Sequence, residues 1–284
     1  TVAAGTAASL KAALTDVTAT DALKLKVTGT ATVADLLALD GKTSIPVDAK
    51  SVTAITGTAA EFATLNTANV DLSSTVALTF TGTIAAADVN AANGLNALAA
   101  QTFGKVTATV EGSATSLATN LATASTDAIT VKVTGTTATA ADLIAIDKVT
   151  SVVVDAKAVK TITADAADVA DVTTVLAAKT IAKAADVAVT IDAADDITAI
   201  QANSIAKLTT GVVTATVADA SASYLNSTLK DAKATDALTL KVIGTTATAA
   251  DLNALDAKTK EVITVEATKI EGTLADLNKV FVDV

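Results

Sequence analysis

Residues 236–259 read "DALTLKVIGTTATAADLNALDAKT", and the chain has written most of this passage twice before. "DAITVKVTGTTATAADLIAID" spans 127–147 and "DALKLKVTGTATVADLLALD" spans 21–40, so the copies start 106 and 109 positions apart. Repetition is therefore the first property to explain, because a fixed period decides the fold before local propensity does.

The passage has an internal grammar. Leu238, Leu240 and Val242 alternate with polar residues, as do Leu23, Leu25 and Val27 with Lys24 and Lys26; Ile129, Val131 and Val133 keep the phase. Period-two alternation of this kind predicts a strand buried on one face. A turn carrying Gly or Thr follows, and then Thr248-x-x-Asp251. The same spacing recurs at Thr32–Asp35, Thr58–Glu61, Thr139–Asp142 and Thr273–Asp276. A hydroxyl three residues before an acid starts a helix: the oxygen takes an orphan N–H and the acid suits the positive end. At Asp165-x-x-Asp168 an aspartate replaces the threonine and keeps the capping chemistry. Apolar residues then fall at helical spacing, as in Val33, Leu36 and Leu37, or Leu252 and Leu255. Helices of about two turns do not stand alone in water and need a sheet beneath them.

Shorter echoes fill the space between the long copies. "VDAKSVTAITGTAAEF" (47–62) answers "VDAKAVKTITADAADV" (154–169) and, with a deletion, "VEATKIEGTLADL" (265–277). "VTATVEGSATSLATNL" (106–121) answers "VTATVADASASYLNSTL" (213–229), which sets Tyr224 opposite Leu117 at an inward helix position. The chain thus tiles into about eleven units of roughly 22–35 residues, the size range of solenoid repeats. Residues 1–20 are a partial repeat, 21–126 and 127–235 are four-unit repeats, and 236–284 is the first half of a third. The expected fold is α/β: a single elongated, right-handed solenoid over 1–284, of strand–short-helix repeats sharing one parallel sheet. A parallel β-helix is the competing expectation, because Ala-Thr-Val runs suit both.

The architecture resembles that of leucine-rich-repeat solenoids, although L-x-x-L-x-L-x-x-N is missing and no asparagine ladder replaces it. The wording "VTGTTATAADLIAID", "SVTAITGTAAEF" (Ser51–Phe62) and "VTATV" resembles the Ala/Thr/Val/Asp-rich arrays of very large bacterial surface proteins. Such arrays belong to marine and cyanobacterial cell-surface proteins, adhesins and surface-layer-like proteins. The resemblance implies a structural repeat from a secreted or cell-surface protein. Those families often carry calcium-binding glycine-rich nonapeptides, and this chain has no G-G-x-G-x-D.

Composition narrows the chemistry. His, Cys, Met, Trp and Arg are absent, which removes Ser-His-Asp and Cys-His nucleophile sets and the usual zinc sites. A net charge of −10 without arginine argues against nucleic acid. Mean hydropathy is +0.53, yet the uncharged stretches, Leu72–Ala87 among the longest, fall short of a membrane span. Apolar content of 51% with only 2% aromatic suits thin stacked layers better than one thick core. Lacking an initial Met, the chain reads as a mature or excised piece of something longer. Both ends fall in mid-pattern, which leads us to expect neighbouring repeats or other copies joined end to end.

Few residues invite a ligand. Asp192, Asp195 and Asp196 form the densest acidic cluster and are the calcium candidates; the simpler expectation is that Asp192 caps a helix whose first turn holds the other two. T-x-T pairs at Thr79/Thr81, Thr107/Thr109 and Thr214/Thr216 line an outward strand face, and flat arrays of this kind resemble ice-binding surfaces; the alternative expectation to a structural repeat is a solenoid that binds glycan, calcium or ice through that face. Lysines 24, 26, 132 and 241 interrupt it, and threonine is also simply a good strand former. Carboxylate pairs exist, but nearly every one reads as a cap or a solvated-loop pair, and the aromatic and basic residues of a sugar groove are missing, so no enzyme is expected. Asn226-Ser227-Thr228 matches a glycosylation sequon by chance, and Pro46 precedes a strand, where its missing N–H costs little.

Overall fold

The alternating stretches are strands and the capped stretches are helices in a computed structural model that describes residues 2–91, 94–101, 104–194 and 196–282. Among the described residues the fold is mixed α/β, with parallel strands, eleven α-helices and no closed barrel. The all-β alternative does not form. The chain divides into two compact units, Thr1–Thr134 with Ala145–Asp155, and Gly135–Ile144 with Ala156–Val284.

In the first unit the strands Lys26–Thr32, Val47–Thr58, Ala77–Ala85, Val106–Gly112, Ala128–Val133 and Val154–Asp155 lie side by side in that order. Every pair is parallel, and Val70–Leu72 runs along the start of Val47–Thr58. Partner residues sit one module apart in sequence, as in Thr107↔Ala128, Ile55↔Leu78 and Leu78↔Val106. The helices Ala7–Ala13, Val33–Asp40, Ala59–Leu65, Leu95–Ala99 and Ala114–Asn120 connect the strands.

In the second unit Thr137–Thr139, Thr161–Ala164, Ala188–Ile191, Val213–Thr216 and Ala237–Thr239 form one parallel sheet in that order. Two further parallel pairs, Lys241–Val242 with Thr264–Val265 and Thr246–Thr248 with Lys269–Glu271, are separate from it. A single continuous sheet is therefore not what the chain makes. The backbone turns through Gly244 at φ +119° between Lys241–Val242 and Thr246–Thr248. The helices Val169–Ala177, Ala199–Leu208, Ala222–Thr228, Ala249–Asp256 and Leu274–Val282 belong here, and Ala140–Asp147 completes the eleven.

The alternation of burial follows the sequence except at Leu23, which is half-buried; Leu23 and Leu25 precede the strand Lys26–Thr32, and Leu240 falls between two strands. Leu25, Val27, Ile129, Val131, Val133, Leu238, Leu240 and Val242 are buried while Lys24, Lys26 and Lys132 face out. The helices press down with Leu36, Leu39, Leu117, Leu225, Leu252 and Leu255. Each such side chain contributes about 1.5–3 kcal/mol when fully buried, which is what holds helices this short in place. Close layering also constrains the backbone: a Cβ at Gly57 would stand 2.5 Å from Val33 Cγ2, the first residue of the neighbouring helix.

The caps form at Thr32, Thr58, Thr139, Thr248 and Thr273, whose Oγ1 atoms accept the N–H of residues 35, 61, 142, 251 and 276 at 3.0–3.2 Å. Thr6, Ser113, Thr198 and Ser221 cap in the same way without a following acid in the pattern. Three expectations need correction. Asp165 makes no side-chain cap bond; a 3-10 turn at Ala166–Asp168 intervenes and the helix starts only at Val169. Leu39, not Leu37, is the buried partner of Leu36, because it lies three residues on and closer to the inward stripe. Tyr224 is 45% exposed, and Leu225 takes the inward place of Leu117. The turn Ala218-Asp219-Ala220 has one residue more than Glu111-Gly112, and the capping serine, not the strand, sets the helix phase.

Candidate functional site

The first residue of each long repeat is a module-to-module connector. Asp127 is buried; its Oδ1 accepts the Val106 N–H at 2.9 Å and its Oδ2 the Ala124 N–H at 3.0 Å. Asp236 repeats this with Val213 and Lys233, both at 2.9 Å. At Asp21 only the local half remains, with Oδ2 accepting the Thr18 N–H at 2.9 Å. The backbone carbonyls of all three accept an N–H from the following module, from Ser44, Ser151 and Lys260. Charge on these acceptors strengthens the bonds, and the carboxylates satisfy N–H groups that burial would otherwise orphan.

A second row reaches backward from just after the helices. The buried hydroxyls of Thr43, Thr150 and Thr259 donate to the carbonyls of Leu23, Ile129 and Leu238 at 2.9, 2.6 and 2.8 Å. Thr209 does the same to Val187 at 2.6 Å. The sequence signal was a threonine recurring after the helix in Lys42-Thr43-Ser44, Val149-Thr150-Ser151 and Lys258-Thr259-Lys260, and pattern reading for caps passed over it.

Helix flanks carry a third row. Asn203 exchanges two hydrogen bonds with Asp231, at 2.9 and 2.7 Å. Asn226 donates to Asp251 Oδ1 at 2.9 Å and Asn253 to the Asp276 carbonyl at 3.1 Å. Each is the fifth residue of its helix and reaches toward the next module. The second unit thus has an asparagine row on its helix flanks, a different feature from the strand-turn ladder of leucine-rich repeats. In the first unit Lys11 holds this position and pairs with Asp35 at 2.7 Å, which lowers the Asp35 pKa.

The outward strand face is banded. Thr32, Thr56, Thr79 and Thr107 are consecutive register partners in the first unit, as are Thr139, Thr163, Thr190 and Thr214 in the second. Next to them run charges of alternating sign. Lys132 lies between Glu111 and Asp155 in register, and Lys241 bonds Asp219 at 3.1 Å and Glu266 at 3.2 Å, which raises its pKa. The second threonine row lines an open cleft of about 590 Å3 with Asp165 and Asp192 on its rim. The first unit has a smaller apolar recess of about 230 Å3 beside Phe62, whose ring lies 4.4 Å from that of Phe80.

The calcium candidates are not gathered by a helix. Asp192 closes a local turn, its Oδ1 accepting the Ala194 N–H at 3.0 Å, and Asp196 precedes the bridge residue Ile197. Asp195 lies outside the described residues. The next helix starts at Ala199 under the capping box of Thr198 and Gln201, so Asp192 is not its cap. Among the described residues no three or more His, Cys, Asp or Glu side chains form a group that could hold a metal ion. Among the same residues no helix is long and apolar enough to cross a membrane. No protein-family model, curated protein or solved structure matches this chain.

Proposed function

We propose that this chain is a non-catalytic structural repeat of an extracellular or cell-surface protein, serving as adhesin stalk, surface-layer element or filament segment. In this reading eleven strand–helix modules follow one another as the turns of a solenoid. The observation that carries it is where the polar side chains are spent. Asp127, Asp236, Thr150, Thr209 and Thr259 are buried and bonded to an adjacent module. Such a chain gains stability from each neighbour it adds, which suits a spacer. The lack of His, Cys and Arg favours scaffold over catalyst, and the net charge of −10 favours partners other than nucleic acid.

A second reading has one observation in its favour: the registered threonines and the cleft beside them could take a glycan, calcium or ice through the exposed strand face. Calorimetric titration with calcium, a glycan-array screen and a thermal-hysteresis measurement separate the two. Silence in all three supports the scaffold, and saturable binding that Thr163→Val/Thr190→Val removes replaces it with a recognition role. Antibody labelling of intact against permeabilised cells tests the surface placement; labelling only after permeabilisation would overturn it.

A further inference from the structure

Two neighbouring helices of the second unit turn an apolar face to solvent. In Ala199–Leu208 the buried residues are Ala199, Ala202, Ile205 and Ala206, so the opposite side belongs to Ile200, Ser204 and Leu208, which recur every fourth residue. Ile200 is 60% exposed and Leu208 40%. Tyr224, the one tyrosine of the chain, is 45% exposed on the next helix, Ala222–Thr228. It is the third residue there, the place from which Asp251 meets Asn226 of the preceding helix, so Tyr224 leans back toward Ala199–Leu208. Among the described residues no other helix between Ala7 and Asp256 exposes a large apolar side chain. Both flanks of the pair are covered, by Val169–Ala177 on one side and Ala249–Asp256 on the other, so only the outward side is open.

The charges around this face are sorted by end. Lys207 and Lys230 stand at the C-terminal ends of the two helices. At the N-terminal end Asp171 is the third residue of Val169–Ala177, and Asp196 comes two residues before the Thr198 cap. None of the four is ion-paired among the described residues. Laid parallel, two such faces would set lysine on lysine and aspartate on aspartate. Laid antiparallel, they set the lysines of each against the aspartates of the other, and the helix dipoles also oppose. The apolar stripe has the same two-way symmetry. Ile200 and Leu208 lie four residues on either side of Ser204, whose small side chain lets two helix axes come close.

We propose that the outward face of Ala199–Leu208 and Ala222–Thr228 pairs with the same face of a second copy of this chain, the helices antiparallel about a two-fold axis at Ser204. Ile200 of each copy packs on Leu208 of the other, and Tyr224 closes the side. The contact is isologous, so it stops at two copies. The patch is smaller than a standard interface, which makes the dimer a weak one, formed at high micromolar concentration. The pairing goes beyond the scaffold reading: it gives the chain a lateral partner and leaves the strand face free.

Sedimentation velocity on the 284-residue chain, at low salt and up to millimolar concentration, should show a reversible monomer–dimer equilibrium and nothing larger. Ile200→Asp/Leu208→Asp should weaken it about 100-fold or more. Lys207→Glu/Lys230→Glu and Asp171→Lys/Asp196→Lys should each weaken it about tenfold, and a mixture of these two charge variants should recover the wild-type affinity. Far-ultraviolet circular dichroism checks that each variant folds, and the apolar and charge variants test the face independently. Cysteine, absent from the chain, reads the alignment. Under mild oxidation Ile200→Cys and Leu208→Cys should each stay single, while their mixture forms a disulfide-linked dimer. A wild-type chain that is monomeric at every concentration overturns the proposal. So does an Ile200→Asp/Leu208→Asp variant that dimerises like wild type. An Ile200→Cys chain that cross-links to itself as fast as the mixture does would overturn the antiparallel pairing. None of these results touches the scaffold reading, whose test is the absence of calcium, glycan and ice binding.

Discussion

Asp236 is fully buried and its Oδ1 accepts the Val213 N–H at 2.9 Å, so a carboxylate from one module completes the strand of the module before it. Its other oxygen accepts the Lys233 N–H at the same distance. Asp236→Ala orphans both donors at once and should lower stability by about 3 kcal/mol, read from the urea midpoint. Asp236→Asn keeps one acceptor and turns a donor toward the other N–H, so it should fall between wild type and alanine. Equal stability of all three proteins would show that the buried carboxylate contributes nothing.

Thr259 offers a cleaner substitution. Its Oγ1 accepts from the Leu238 N–H at 3.0 Å and the Glu261 N–H at 3.1 Å while donating to the Leu238 carbonyl. Thr259→Val keeps the shape and removes every one of those bonds, with an expected loss of about 2 kcal/mol. Thr259→Ser should recover most of it. If valine and serine behave alike in denaturant melts, packing and not the hydroxyl matters here.

Gly57→Ala places a methyl group 2.5 Å from Val33 Cγ2 and 2.8 Å from Val33 Cβ. The side chain it meets is itself fully buried, so it has nowhere to retreat. Overpacking of this kind costs about 1–3 kcal/mol. The paired variant Gly57→Ala/Val33→Ala should regain part of the loss, a coupling that a double-mutant cycle in urea measures directly.

Acid should weaken the helix starts in the first unit. Asp35 has its pKa lowered from 3.8, chiefly by the Lys11 hydrogen bond, and Glu61 from 4.5 by the backbone N–H of Thr58. A lowered folded-state pKa gives stability that is present above the unfolded value and is lost as pH falls through the folded one. Stability should therefore decline below about pH 4.5 and continue to decline past the ordinary carboxylate range. Asp35→Asn/Glu61→Gln should flatten that decline. At the alkaline end the sign reverses for Lys241, whose raised pKa keeps its bonds to Asp219 and Glu266 until pH exceeds 10.5. A proton-independent melting profile between pH 2.5 and 5 would rule these pairings out.

Much of the fold was legible because it is periodic. Ile129-Thr130-Val131-Lys132-Val133 reads as a one-sided strand and is one, and Thr248-x-x-Asp251 begins a helix over the buried Leu252; in Leu23-Lys24-Leu25-Lys26-Val27 the strand starts only at Lys26. What escaped was either a change confined to one module or a recurring polar residue whose burial and partner the letters do not show. Tyr224 was misplaced because one extra turn residue shifts the helix by about 100° relative to the strand. Asp165 looked like Thr58 in spacing, but its side chain was not needed once a 3-10 turn intervened. Thr43, Thr150 and Thr259 carry no mark of burial in the sequence, since an exposed and a buried threonine are spelled alike. The same holds for Asn203, Asn226 and Asn253, whose role depends on which flank of the helix meets the next module.

Asp127 and Asp236 make the same bonds from the same place in successive long repeats, which has a consequence for how such a gene can change length. Deleting 127–235 would set Asp236 directly after residue 126, where Asp127 now receives the N–H groups of Val106 and Ala124. Every bond at that seam would find its usual partner. An exchange between these two points thus keeps a buried aspartate at the join, facing the N–H groups of Val106 and Ala124.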